Sequence, residues 1–85
     1  MKKTLKNPIK EWRKRNYWTQ PMLAEDLNEL GASRGKISRQ QIRTWEKGIH
    51  IPTDDILEAL AEVMQVKPDK LREELISYKK QKEKK

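Results

Sequence analysis

Ile37-Ser38-Arg39-Gln40-Gln41-Ile42-Arg43-Thr44-Trp45-Glu46-Lys47-Gly48 is the stretch on which the reading of this chain turns. Ser38 is a good helix cap, and Gly48 a good helix end. Ile42 and Trp45 stand three apart and share a buried side. At about 100° per residue, Gln40, Thr44 and Lys47 point within about 50° of the opposite direction. Arg43 lies near the edge of that arc. The face so formed carries polar side chains, and Glu46 is the only acid in the helix. Glutamine can pair with adenine through two hydrogen bonds, and arginine reads guanine or holds phosphate. Threonine offers a hydroxyl or a methyl group. Such a helix suits a DNA major groove. The competing reading is an ordinary solvated face, which more often mixes glutamate with lysine.

The flanking sequence reads as four more short helices. Asn7-Pro8 starts the first, with Asn as cap and Pro at the first helical position. Ile9 and Trp12 share its inner face, and it ends near Asn16-Tyr17. Thr19 caps the second, where Pro21 is tolerated in the first turn. Leu23, Leu27 and Leu30 have amphipathic spacing, and Gly31 stops the helix. Residues 31–36 read as a flexible basic loop. Pro52 breaks the chain after the third helix. Thr53 caps the fourth, with Asp54 and Asp55 at its positive end. Ile56, Leu57, Leu60, Ala61 and Met64 form its buried stripe. Pro68 opens the fifth, with Asp69 beside it and Leu71 and Leu75 facing inward. Trp12 and Trp45 belong with the core, whereas Trp18 lies at a helix junction and is open either way. No segment alternates as a strand would. The expectation is an all-α, compact five-helix bundle over 8–78. A basic N-terminal arm, 1–7, precedes it, and a disordered Lys-rich tail, 79–85, follows.

Composition narrows the function. The chain has 85 residues, enough for one small domain. Twenty Lys and Arg against thirteen Asp and Glu leave a net charge of +7. The charge comes in blocks: +6 over 1–20, −3 over 21–33, +4 over 34–50, −4 over 51–78 and +4 over 79–85. One basic and one acidic face follow from that pattern. A polyanion is the natural partner of the first, although charge runs also occur on faces that bind nothing. There is no cysteine and one histidine, His50. Disulfides, thiolate zinc sites and cysteine nucleophiles are excluded. No nucleophile–base pair, Gly-rich phosphate cradle or metal spacing is present, so neither enzyme activity nor a metal or cofactor is expected. No apolar run would span a membrane, and no apolar stretch follows basic residues 1–7 as a secretory leader requires. A soluble domain of the cytoplasm is expected.

The ordered set of motifs resembles a known family. Thr19-Gln20-Pro21-Met22-Leu23-Ala24 is followed by the 37–48 stretch, Pro52, Leu57-Glu58-Ala59-Leu60-Ala61, Val66 and Leu71. Together they are similar to the Cro and phage-repressor (Xre-type) helix-turn-helix family, over roughly residues 8–76. The resemblance implies a lambda-repressor-like domain whose third helix enters the major groove. It places Ser38, Arg39, Gln40 and Thr44 at bases and Gln20 at phosphate. Arg43 and Lys47 fall at bases or phosphates. It makes Glu46 structural. His50, just beyond Gly48, either touches phosphate or is an ordinary surface histidine. One departure is substantial. Ala24 and Ile37 are thirteen positions apart, well beyond the short spacing of the family. The added residues bring Arg34 and Lys36 toward the same side. They either supply further phosphate contacts or form an insertion that loops tolerate cheaply.

The expected function is therefore sequence-specific binding of double-stranded DNA by a small bacterial or phage regulator, most simply a repressor that occupies its operator in the bacterial cytoplasm or nucleoid. A homodimer would set half-sites about 34 Å apart, with the fifth helix as its contact surface. The alternative is a protein-interaction module of antitoxin or anti-repressor type, using the acidic half 51–78. An exposed apolar cluster at Leu75, Ile76 and Tyr78 would favour it. Regulators of the mercury-resistance type are a related option that fits the segment after Pro52 less well. The lysines of 79–85 either add counterion release on DNA or only solubilise the chain.

Overall fold

Five helices make up the computed structural model, which describes residues 6–33 and 35–83. They are α1 (Pro8–Arg15), α2 (Gln20–Glu29), α3 (Arg39–Glu46), α4 (Asp54–Met64) and α5 (Pro68–Glu83). No strand occurs among the described residues. The starts follow the cap residues. Asn7 Oδ1 accepts from the Lys10 amide at 3.0 Å. Thr19 Oγ1 accepts from the Met22 amide at 3.3 Å. Ser38 and Gln41 close a reciprocal box: Ser38 Oγ accepts from the Gln41 amide, and Gln41 Oε1 accepts from the Ser38 amide. Thr53 stands at the start of α4 as expected, but its hydroxyl makes no capping bond.

The ends of α1 to α4 share one geometry. A residue in the left-handed region follows each helix, namely Tyr17, Gly31, Gly48 and Gln65, with φ between 59° and 76°. The next amide reaches back to the helix: Trp18 to Arg13, Ala32 to Leu27, Ile49 to Thr44 and Val66 to Ala61, at 2.8–3.2 Å. Each of these four helices is thus closed by the same turn.

Ile9, Leu23, Leu27, Ile42, Leu57, Leu60, Leu71 and Leu75 form the heart of a single core. Trp45 is buried in it, and Trp12 packs against it. Trp18 does so too, its ring edge-on to Trp12 at 5.1 Å between centroids. Two expectations need correction. Leu30 does not continue the inner stripe of α2: the helix ends at Glu29 and Leu30 is 47% exposed. The turn at Gly31 delivers Ala32 to the core instead, 6% exposed. The Lys-rich tail does not begin at residue 79. Helix α5 runs on to Glu83, because its inner stripe continues from Leu75 through the Tyr78 ring and the Lys82 stem.

Candidate nucleic-acid interface

Helix α3 packs on α1 and α2, and its inner face is fixed by polar as well as apolar contacts. Glu46, the only acid of the helix, is turned inward and buried. Arg13 of α1 grips both carboxylate oxygens, Nε to Oε2 at 2.7 Å and a terminal nitrogen to Oε1 at 2.9 Å. The other terminal nitrogen of Arg13 donates to the Trp18 carbonyl at 2.9 Å. Gln20 of α2 donates from Nε2 to Glu46 Oε1 at 3.0 Å. One carboxylate thereby ties three helices together. Its hydrogen bond raises the Arg13 pKa above the ordinary arginine value; burial pulls the other way and loses, and the attraction of Glu46 adds to the rise. Asn7 adds a second tie, Nδ2 to the Trp45 carbonyl at 2.9 Å.

With its acid withdrawn, α3 presents Arg39, Gln40, Gln41, Arg43 and Lys47 to solvent, with Ser38 at its start. Ser38 is exposed, though its hydroxyl is engaged as a cap. Thr44 is half-buried, and its hydroxyl donates to the Gln41 carbonyl at 2.6 Å. Its methyl group and an oxygen lone pair remain for a ligand. Lys36 is exposed just before the helix, and His50 just after it. Gln20 has one amide hydrogen committed to Glu46 and a second available. Arg34 lies outside the described residues. The groove between α2 and the start of α3 brings Lys36, Arg39 and Gln40 beside Glu25 and Glu29. Lys36 therefore shares its surroundings with two carboxylates.

The geometry is two helices joined across a turn, the second with a polar, acid-free outer face. The model of a helix-turn-helix family matches residues 9–71. The chain belongs to the Cro and phage-repressor (Xre-like) helix-turn-helix family. No curated protein and no solved structure matches it.

In a helix-turn-helix the angle between α2 and α3 decides what the second helix can reach, and here the connection is long. Asn28 resolves that difficulty. Its Oδ1 accepts from the Ile37 amide at 2.7 Å and its Nδ2 donates to the Ile37 carbonyl at 3.0 Å. The pair satisfies both backbone groups of Ile37, whose own side chain is buried. The start of α3 therefore stays fixed to α2 across the long connection. Asn28 gave no signal in the sequence, since it lies on a polar stretch of α2 with no periodic partner. Arg13 was likewise silent among the basic residues of α1, and Asn7 showed only its capping half. The membership makes this a DNA-binding helix-turn-helix regulator. No helix among the described residues is long and apolar enough to cross a membrane.

Proposed function

We propose that the chain is a sequence-specific regulator of transcription, a bacterial or phage repressor that acts by occupying its operator with α3 in the major groove. The observation that carries this reading is the withdrawal of Glu46 from the outer face of α3 into the Arg13 and Gln20 network. It leaves no carboxylate in that helix facing outward, and a helix facing only solvent has no need of that. Arg39 and Gln40 sit in the first turn, the part of a recognition helix that meets base edges. Gln40 pairs with adenine and Arg39 and Arg43 with guanine, while Ser38 and the Thr44 methyl add smaller contacts. Lys36, Lys47, His50, the second amide hydrogen of Gln20 and the Arg34 side chain hold phosphates.

Titration of a labelled random-sequence duplex, followed by anisotropy across a salt series, tests this. The logarithm of affinity is expected to fall steeply with the logarithm of salt, by about 0.9 for each phosphate engaged. Absence of binding at about 50 mM salt, where a basic reader binds any duplex, would overturn the reading.

The alternative of a protein-interaction module finds less support. The apolar cluster that would favour it is not exposed: Leu75 is buried and Ile76 and Tyr78 are half-buried. Leu71 and Leu75 serve the chain's own core, which also removes them from any dimer interface.

A further inference from the structure

Lys82, near the end of α5, is held against the end of α3, and we propose that it supplies a second phosphate-binding edge for the DNA that α3 reads. This inference rests on the function proposed above and adds a site to it.

The placement follows from one stripe. Leu71, Leu75, Tyr78 and Lys82 recur at 0, 4, 7 and 11, the spacing of one helix face. The two leucines are buried in the core. Beyond the core, the same face closes over Gly48, the residue that ends α3. A β-carbon at Gly48 would stand 3.1 Å from the Tyr78 ring and 3.1 Å from Lys82 Cγ. The two helices therefore touch at this point. The Lys82 ammonium lies 5.5 Å from the centre of the Tyr78 ring. Its stem is packed and its charge is held by the ring face, while the residue remains exposed. Lys47 and His50, both exposed, stand one residue before and two after Gly48, whereas Lys80 lies roughly opposite this stripe, on the face of α5 turned away from α3.

Distance makes the assignment specific. An α3 of eight residues is about 12 Å long, and the major groove is about 12 Å wide. Neither end of so short a helix, seated in the groove, is far from a phosphate strand. What is docked on its end travels with it to that strand. A lysine kept only for solubility needs no such docking, and holding one at the residue next to Lys47 costs repulsion unless an anion is present. A competing role for Lys82 is to answer the negative end of the α3 dipole. That role engages no phosphate and would leave the salt slope unchanged when the Lys82 charge is removed.

The test uses the full chain and the labelled random-sequence duplex, with the wild type compared with Lys82→Met and, as a control on the opposite face of α5, Lys80→Gln. Methionine keeps the unbranched stem over Gly48 and removes the charge. The salt slope is expected to become shallower by about 0.9 for each phosphate no longer engaged, which is about eightfold in affinity across a tenfold change in salt. The weakening should be the same on every sequence. Lys80→Gln removes the same charge from the face turned away from α3 and should leave the slope unchanged, which separates a lost phosphate contact from a lower net charge. An unchanged slope in Lys82→Met, or an equal loss in both variants, with the wild type binding DNA, would overturn the second edge and leave α3 as the reader. A wild type that binds no duplex would overturn the functional reading together with it.

Discussion

Glu46→Ala is expected to destabilise the domain by about 3–5 kcal/mol, the range for removing one partner of a buried ion pair. Its carboxylate is 4% exposed and Arg13 is 14% exposed. Removal leaves the guanidinium in the protein without its counter-ion and frees the Gln20 amide as well. Small domains have a total stability of about 5–15 kcal/mol, so this single change approaches the limit of folding. Urea titration followed by circular dichroism reads it directly. Arg13→Met/Glu46→Leu, which removes both charges and keeps volume, is expected to recover more than half of the loss. A loss below about 1 kcal/mol, the worth of a surface pair, would show that the pair does not hold the three helices together.

Gly48→Ala is expected to cost about 2–5 kcal/mol from two separable sources. The backbone at Gly48 has φ +76°, which costs a residue with a β-carbon about 1–2 kcal/mol. The added methyl group also meets the Tyr78 ring and the Lys82 stem, and overpacking of that kind costs about 1–3 kcal/mol. Gly31→Ala separates the two. Gly31 has φ +69° but open space around it, so only the backbone cost of about 1–2 kcal/mol applies. Thermal unfolding should rank wild type above Gly31→Ala, and Gly31→Ala above Gly48→Ala. Equal losses at the two glycines would mean that α5 does not press on the end of α3.

The parts of this fold that short-range chemistry controls were legible in the sequence. Asn7, Thr19 and Ser38 stand where local capping puts them, and the two faces of α3 follow from Ile42 and Trp45 alone. The polar ties were not legible. Arg13 and Glu46 are 33 residues apart, Asn7 and Trp45 are 38 apart, and no periodicity links either pair. Leu30 misled because spacing continues past a helix end, whereas the turn at Gly31 rotates the chain and gives its inward place to Ala32. Residues 79–83 misled for another reason. Lysine counts as polar in any hydrophobic pattern, yet the stem of Lys82 packs over Gly48 like an apolar side chain. The face α3 offers to DNA was legible, but the reason it carries no acid was not, since that depended on where Arg13 lies.

The most direct measurement is an amide chemical-shift map of the labelled protein titrated with duplex DNA. The largest changes are expected at 38–44, with further changes at Lys36, Lys47, His50 and Lys82. The acidic groove lined by Asp54, Asp55, Glu58 and Glu62 should not move. Changes centred on that groove, with 38–44 silent, would contradict a DNA-reading role for α3.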